Sequence, residues 1–316
     1  MVSLNKSALD VIAPLLADPE LYGVQVEAGP GGCACVDFGI KARGGYRAAI
    51  LFSKACMAGM GEVWIGSADY GDFPLSTVNV AVTTPALSCM ASQYAGWAIS
   101  RDNYFAMGSG PARALKSGEE IYQQIDHKEK SSTAVLCLET GDKPPEDVVG
   151  YILEKTGVPA SGLYMLIAPT SSITGSVQVS ARVVETAVHK MHEIGFRLDH
   201  ITAGCGSAPV APVHPDGLVA IGRTNDCVLY GGTAHMTVDC DDEFIEEKIN
   251  LIPSLSSSDY GRTFKELFDE YGDFYSIDPL LFSPARITVS NARTGSFFAA
   301  GSVNPGMLDR SFGLKP

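Results

Sequence analysis

The sequence lacks an apolar run long enough to cross a membrane as a helix. Such a span needs about 18 uninterrupted apolar residues, and no stretch of the chain reaches that length. The first apolar set, near the N-terminus, contains Asp10 and Asp18, which is not typical of an export signal. We therefore expect a soluble protein that stays in the cytoplasm.

Basic side chains are also scarce. The 316 residues include 23 Lys or Arg against 36 Asp or Glu, a formal net charge of −13. An acidic surface repels phosphate backbones and anionic lipids, so neither general nucleic-acid binding nor membrane binding is expected. The 46% apolar and 19% charged composition is typical of a globular chain with a sizeable core.

The cysteine pattern offers no disulfide framework. The eight cysteines are scattered, and only Cys33 and Cys35 are close in sequence. A chain of this length can bury a core without cross-links, so reduced thiols are favoured. His189 and His192 are three residues apart, but no third ligand lies at a recognisable spacing, and no metal site is predicted.

Three common catalytic motifs are missing as well. The segment Gly108-Ser-Gly-Pro-Ala-Arg lacks the last glycine of a dinucleotide fingerprint, and no Walker lysine follows any glycine loop. The Gly-x-Ser-x-Gly elbow of many serine hydrolases is absent too. The sequence therefore gives no motif that favours nicotinamide, nucleoside-triphosphate or serine-hydrolase chemistry.

Glycine, by contrast, is abundant, with 33 in the chain. Three segments concentrate glycine and other small residues, and we expect turns at residues 105–114, 204–213 and 222–232. Their backbone N–H groups would either close tight turns or face an anion or a flat ring. Arg113 and Arg223 place positive charge beside two of these segments, which favours the second interpretation slightly.

Strand and helix patterns alternate along the chain. Helical spacing marks residues 5–17 and 145–156, whereas residues 24–27, 35–40, 63–65, 78–82, 134–138 and 164–168 have strand patterns. This alternation predicts an α/β protein. The acidic, proline-containing stretch 139–147 is a candidate connection, so we predict domains at 1–145 and 146–316, with more than one crossing of the chain between them allowed.

The most informative segment is residues 168–191, which we predict to form one long helix. Its apolar residues would cover an arc of roughly 200°, so the helix should be mostly buried. The remaining polar residues fall together in an arc of roughly 60°; they are Gln178, Arg182, Glu185 and His189. A narrow polar stripe on a buried helix must face something polar.

Two interpretations of this stripe remain open. Arg182 and Glu185 are three residues apart and can form an ordinary ion pair at an interface. Alternatively, Glu185 is a carboxylate in a cleft, where burial acts to raise its pKa and the arginine acts to lower it. Such competition leaves a carboxylate able to take up and return a proton.

Aromatic residues are dense in the last third of the chain. They lie beside Asp and Pro in residues 258–268, 273–279 and 281–285. These segments can be core packing, or they can wall a site for a planar heterocycle.

Taken together, these segments resemble the methenyltetrahydromethanopterin cyclohydrolase family of one-carbon metabolism. The resemblance runs from Asn5 to Phe312, and five ordered blocks carry it: residues 104–115, 168–191, 222–232, 259–261 and 273–279. It implies two α/β domains with a pocket between them and a homotrimeric assembly. It also implies an enzyme that opens the methenyl bridge of a pterin with water, reversibly, to give the N5-formyl product.

The resemblance assigns the proton transfer to Glu185, with Arg182 tuning its charge and positioning water or substrate. The substrate carbon sits between two nitrogens of a cationic amidinium, so it is already electrophilic. It needs a group that takes a proton from water and returns one to N10, and Glu185 would also offset the cation. The tetrahydromethanopterin derivative is the substrate, and no further cofactor is implied.

The resemblance also suggests residues that contact the substrate. Those expected to hold an anionic part of the pterin are Ser109, Gly110 and Arg113. Those expected to line the pocket are Arg223, Asn225, Asp226 and Tyr260. Archaeal relatives often carry a lysine in the segment 92–97, where this chain has Tyr94, which suggests a formaldehyde-oxidising bacterium more than a methanogen.

Two alternatives accompany this hypothesis. One is a cyclohydrolase that acts on a tetrahydrofolate-type carrier, which would need the same carboxylate and a different tail pocket. The other is a pterin-binding protein without turnover, in which Arg182 and Glu185 are only structural.

Overall fold

Two mixed β-sheets organise the residues that the computed structural model describes, namely 2–116, 118–272 and 276–314. The strands are β1 (Gln25–Ala28), β2 (Ala34–Asp37), β3 (Gly61–Tyr70), β4 (Phe73–Val82), β5 (Trp97–Arg101), β6 (Tyr104–Ser109), β7 (Ala134–Glu139), β8 (Leu163–Ile167), β9 (Ile201–Pro209), β10 (Thr233–Val238), β11 (Arg286–Asn291) and β12 (Phe297–Gly301). The first sheet has the order β1-β2-β8-β7-β6-β5 and the second the order β12-β11-β10-β9-β4-β3.

The helices connect and cover these strands. They are α1 (Leu4–Ala17), α2 (Pro19–Tyr22), α3 (Tyr46–Cys56), α4 (Ile121–Gln124), α5 (Glu146–Thr156), α6 (Ile173–Ser180), α7 (Val183–Glu193), α8 (Gly217–Gly231), α9 (Asp242–Lys248), α10 (Phe264–Tyr271) and α11 (Pro305–Phe312). A π-helical segment spans Ala86–Gln93, and a short 3-10 helix spans Pro111–Leu115. The predicted α/β class is confirmed.

The chain divides into two compact units, each built from two separate segments. The first unit contains residues 1–62 and 87–178, and the second contains residues 63–86 and 179–316. The hairpin of β3 and β4 therefore belongs to the second unit, because β4 pairs antiparallel with β9. The predicted boundary between residues 145 and 146 lies inside the first unit, where β7 and β8 pair in parallel on either side of α5 in sequence.

The first unit buries both faces of its sheet. On one face, Val148, Val149 and Ile152 of α5 pack in a cluster with Leu136 and Met165. On the other face, α1 and α3 cover a cluster that includes Val135 and Leu166. Helices on both faces account for the continuous apolar runs of the parallel strands β7 and β8.

The second unit has a separate apolar cluster beside its sheet. Helices α8, α10 and α11 enclose it, with Tyr230, Phe264 and Leu308 among its buried members. Capping supports α10, since Thr263 and Glu266 form a reciprocal capping box at its start.

The predicted helix over residues 168–191 is wrong as a single element. Helix α6 ends at Ser180 and α7 begins at Val183, with Arg182 at φ −82° and ψ 2° between them. The Arg182 N–H donates to the carbonyl of Val179, a tighter turn than an α-helix, and the Ser180 hydroxyl donates to the carbonyl of Pro209. No proline or glycine marks this break, so only tertiary contacts place it.

Regular elements occupy most of two of the three predicted glycine turns. Residues 204–209 lie in β9, and residues 222–231 lie in α8. The first segment turns at Gly110, whose φ of 90° is unfavourable for residues with a side chain, and residues 210–213 of the second segment follow β9 as a loop. Small residues in β9 and α8 therefore serve close packing instead of loop formation.

Among the described residues, no helix is long and apolar enough to cross a membrane. Seven of the eight cysteines are buried, and Cys205 is exposed.

Candidate active site

The break before α7 builds a buried ion pair. Arg182 occupies the N-cap of α7, and Glu185 lies in its first turn. Arg182 Nη1 lies 3.5 Å from Glu185 Oε2, and the side chains are only 11% and 5% exposed. The sequence prediction that these two residues meet on a largely buried helix is confirmed.

The position of α7 depends on glycines in β9. A Cβ atom on Gly204 would lie 3.0 Å from Val184 Cγ1, and one on Gly206 would lie 3.1 Å from Val183 Cγ1. Such distances are tighter than ordinary van der Waals contact. The two glycines thus allow α7 to lie close against the sheet, which sets the location of Glu185.

The electrostatics of this pair favour a charged carboxylate. The first turn of a helix exposes backbone N–H groups and carries a partial positive charge, which stabilises an anion there. The guanidinium of Arg182 adds a full positive charge at close range. A carboxylate held in this way can accept a proton from a group that becomes more acidic, such as an attacking water, and can release it again.

The other two residues of the predicted polar stripe lie elsewhere. Gln178 belongs to α6, and its Nε2 donates to Glu139 Oε2 at 3.0 Å. His189 Nε2 lies 3.8 Å from Glu193 Oε1, one helical turn farther along α7. The break therefore separates Gln178 from the rest of the stripe, while Glu185 and His189 share α7 at a spacing of four residues.

Metal-ligating side chains do not cluster in the part of the chain that the structure describes. No group of three or more His, Cys, Asp or Glu residues there could hold a metal ion. His192, the second histidine that the sequence places near His189, is partly buried.

Three of the residues predicted to line the pocket lie on α8. The guanidinium of partly buried Arg223 donates to the carbonyls of Pro212 at 3.4 Å and Phe312 at 2.8 Å. The Asn225 amide donates to the carbonyl of Ile221 at 2.9 Å, within its own helix. Both side chains are partly accessible, so a ligand can reach them.

Asp226, next on the same helix, is fully buried. Its carboxylate accepts from the backbone N–H of Phe264 at 2.9 Å and from the hydroxyl of Ser311 at 2.6 Å. Burial raises the pKa of Asp226 to about 7, although these hydrogen bonds act in the opposite direction. The residue joins α8 to α10 and α11.

Tyr260 is partly buried beside a second tyrosine. Its ring centroid lies 5.2 Å from that of Tyr230, with the planes tilted by 49°. The aromatic residues around it, including Phe264 and Phe282, pack in the core of the second unit. The neighbouring predicted segment 273–279 lies partly outside the described residues, at 273–275.

Ser109 and Gly110 lie in the first unit, at the end of β6. The Ser109 hydroxyl is buried 3.2 Å from Cys56 Sγ, and Gly110 N–H donates to the carbonyl of Ser92 at 2.8 Å. A Cβ on Gly110 would lie 3.2 Å from Cys137 Sγ, so the turn is tightly packed.

Arg113 is completely buried near this turn. Its guanidinium donates to the carbonyls of Met90 and Ser92 and pairs with the carboxylate of Glu119. It also lies 5.1 Å from the ring centroid of Tyr94, the position where relatives were expected to carry lysine. The protein itself therefore supplies acceptors for the cation that was predicted to hold an anion.

Two polar side chains, Glu139 and Lys190, were not predicted as site residues from the sequence. Glu139, the last residue of β7, accepts from Gln178 and from the Thr170 hydroxyl at 3.0 Å. Lys190 on α7 is buried, and burial lowers the pKa of its amine to about 8 against the raising effect of Asp278. A polar residue at the end of an apolar strand would have indicated Glu139, whereas Lys190 resembles any surface lysine in sequence.

Comparisons with known proteins give a consistent result. A family model described as Cyclohydrolase (MCH) matches residues 3–312. The chain is 41% identical over 313 residues to a protein of Methylobacillus flagellatus, covering 98% of this chain and 95% of that one. It is 42% identical to a protein of Xanthobacter autotrophicus, covering 99% and 93%, and 39% identical to one of Methanococcoides burtonii, covering 100% and 99%. Each of these relatives is named methenyltetrahydromethanopterin cyclohydrolase.

Proposed function

Because the chain belongs to the methenyltetrahydromethanopterin cyclohydrolase family, a family of hydrolases, we propose that it hydrolyses 5,10-methenyl-tetrahydromethanopterin to the 5-formyl derivative. The reaction is reversible. The observation that carries this proposal within the chain is the buried pair of Glu185 and Arg182 at the start of α7.

Glu185 performs the proton transfers in the proposed mechanism. Water attacks the amidinium carbon while the Glu185 carboxylate takes one proton from that water, which gives a neutral tetrahedral intermediate. The bond from the carbon to N10 then breaks, and Glu185 returns its proton to N10. The remaining hydroxyl proton leaves as the formyl C=O forms, so one proton is released overall.

Arg182 acts on the charge of Glu185. The guanidinium keeps the carboxylate ionised before the attack, when it must serve as a base. Glu185 in turn offsets the positive charge of the bound amidinium. Arg182 also orients the attacking water or the substrate.

The residues expected to contact the pterin receive unequal support. Arg223, Asn225 and Tyr260 are partly accessible, which supports direct contact. Ser109, Gly110, Arg113 and Asp226 are buried, as Glu185 is, and their polar groups contact other protein groups.

The test is hydrolysis of the methenyl pterin, followed as loss of the methenyl absorbance. The wild-type chain is expected to turn over, and Glu185→Gln is expected to lose roughly 10²- to 10⁴-fold in rate, the usual contribution of general acid–base catalysis. Glu193→Gln is the matched control, since it removes a half-exposed carboxylate from the same helix and should retain wild-type turnover.

Three outcomes would contradict parts of the proposal. Near wild-type hydrolysis by Glu185→Gln means that the proton-transfer assignment is wrong. An equal rate with methenyl-tetrahydrofolate overturns the substrate assignment. Binding of the methenyl pterin by the wild-type chain without turnover identifies a pterin-binding protein instead of an enzyme.

We further propose a setting and an assembly for this reaction. The setting is formaldehyde oxidation in a methylotrophic bacterium, with which the relatives from Methylobacillus and Xanthobacter are compatible. The assembly is a homotrimer. Light scattering should give three times the chain mass of 33.4 kDa, and a monomer mass would contradict the assembly alone.

A further inference from the structure

One stretch of the first unit departs from the acidic character of the chain. Residues 38–61 contain four Lys or Arg and no Asp or Glu. Three of these cations, Lys41, Arg43 and Arg47, lie within seven residues of each other and are exposed. Within the described parts of the chain, none of the three forms an ion pair with a carboxylate, whereas most other arginines do.

Hydrogen bonds to the buried Asp37 carboxylate hold the backbone around these cations in place. The loop 38–45 leaves the end of β2, and the buried carboxylate of Asp37 accepts from four of its N–H groups. The donors are Gly39, Ile40, Lys41 and Ala42, at 2.6 to 3.1 Å. This network fixes the backbone that carries Lys41 and leads to Arg43.

The loop ends at the N-terminus of an 11-residue helix. Gly45 is the N-cap of α3, and it has no side chain to accept from the first N–H groups of the helix. Arg47 is the second residue of the same helix. An uncapped first turn presents N–H groups and a partial positive charge to an anion.

A buried hydroxyl without a hydrogen-bond partner in the described chain lies beside Gly44 of this loop. Thr174, in the first turn of α6, is fully buried, and its Oγ1 has no hydrogen-bond partner among the described residues. A Cβ on Gly44, next to the N-cap of α3, would lie only 2.9 Å from this oxygen. Burying a hydroxyl without a partner is unfavourable, so an acceptor at the turn would satisfy it.

The location is one at which α/β sheets commonly bind ligands. The strands β2 and β8 are parallel, with Asp37 opposite Ile167 at their carboxyl ends. The loops to α3 and α6 both leave this edge of the sheet. Helix N-termini that follow such strands are frequent phosphate sites.

We propose that the loop 38–45 and the start of α3 form an oxyanion site that binds a phosphate or carboxylate group. Lys41, Arg43 and Arg47 supply the charge, the first N–H groups of α3 supply directed hydrogen bonds, and Thr174 supplies its hydroxyl. Arginine suits this role because its guanidinium can bind two oxygens of one anion.

The oxyanion can come from two sources. One is inorganic phosphate in solution, and the other is an anionic group of the substrate, which rests on the proposed function. The shared chemistry is a tetrahedral or planar group of negatively charged oxygens. The two sources differ in whether the site affects the KM of hydrolysis.

The first experiment uses inorganic phosphate and does not depend on catalysis. Titration calorimetry at low ionic strength should show saturable binding by the wild-type chain, weakened by added salt. The double variant Arg43→Gln/Arg47→Gln should bind at least about tenfold more weakly. The control Lys128→Gln/Lys130→Gln removes two exposed cations from elsewhere in the first unit and should retain wild-type affinity.

Thr174→Val separates the hydroxyl from the charges. It keeps the shape of the side chain, and we expect about a threefold or greater loss of phosphate affinity. Absent or non-saturable binding to the wild-type chain, or equal losses in the two double variants, would overturn the site. Unchanged affinity in Thr174→Val would overturn the role of the hydroxyl.

The second experiment identifies the source. If the anion belongs to the substrate, rising phosphate should increase KM for the methenyl pterin without changing kcat, and Arg43→Gln/Arg47→Gln should show a raised KM that phosphate no longer affects. A KM that is insensitive to both changes assigns the site to free phosphate. If the wild-type chain does not hydrolyse the pterin, the proposed function fails while the calorimetry still decides the oxyanion site.

Discussion

Glu185 Oε2 lies 3.5 Å from Arg182 Nη1 at the point where α7 begins, and little of either side chain is exposed. A buried ion pair of this kind is stable only while both partners are present, because each charge offsets the desolvation of the other. Glu185 is therefore sensitive to changes at Arg182.

Changing the two residues separately and together measures this dependence. Arg182→Met and Glu185→Gln should each lower the free energy of unfolding, by up to about 3–5 kcal/mol, because each removes one partner of a buried ion pair. The double variant should cost less than the sum, by about 0.5–3 kcal/mol. Urea titration of the four proteins gives the coupling, and additive losses would show that the pair does not interact.

Asp226 predicts a specific dependence of stability on pH. Burial raises its pKa in the folded protein from 3.8 to about 7. The folded state therefore holds a proton that the unfolded chain loses near pH 4, so folding is progressively destabilised from about pH 4 to pH 7 and the penalty is complete above that. Each unit of pKa contributes about 1.4 kcal/mol.

Asp226→Asn removes this titration while it keeps an oxygen to accept from Phe264. The unfolding free energy of the variant relative to wild type should rise between pH 5 and pH 7 and then level off. Urea titrations at half-unit steps of pH measure that difference, from which the other titrating groups cancel. A constant difference across this range would mean that Asp226 is ionised throughout.

Asp37 predicts the opposite dependence. Burial acts to raise its pKa, but hydrogen bonds from four backbone N–H groups outweigh burial and hold the pKa below 3.8. Its stabilising contribution is present above about pH 4 and is lost as the pH falls through the lowered pKa.

Asp37→Asn should lower the free energy of unfolding by about 1–3 kcal/mol at pH 7, because an amide has one acceptor oxygen where the carboxylate has two. The difference from wild type should shrink as the pH falls below 4. Asp10→Asn, at an exposed position on α1, is the control and should change stability little. Equal effects of the two variants would contradict the role of the Asp37 network.

Cys205 should dominate the thiol chemistry of the native protein. It lies in β9 and is exposed, whereas the other seven cysteines are buried. A thiol reagent such as dithionitrobenzoate should therefore modify one thiol quickly in the native protein and all eight after denaturation. Cys205→Ser should abolish the fast phase, and two or more fast thiols would contradict the burial of the others.

Several elements could be predicted from the sequence because their signals are local. Strand β7 and helix α5 lie within a residue or two of their predicted limits, since apolar runs, helical spacing and an acidic first turn act over a few neighbouring residues. The α/β class followed from their alternation. The pairing of Arg182 with Glu185 was predictable too, because a spacing of three brings side chains together on a helix.

Other features depend on residues that are far apart in sequence. The break at Arg182 has no local marker, and it coincides with the bond from Ser180 to Pro209 and the contact of Val184 with Gly204. Arg113 has the composition of an anion-binding turn, yet folding places Glu119 and the carbonyl of Met90 around it.

The sequence by itself thus determined several local elements, the fold class and the family, whereas the tertiary structure decided where α6 and α7 separate and which polar groups are buried, paired or accessible. The reason is physical. Secondary structure responds to hydrogen bonds and apolar periodicity over a few residues, but the state of a charge depends on every group that packs around it. For Glu185, that means a helix start created by packing on β9, and for Arg43 and Arg47, a loop held in place by Asp37.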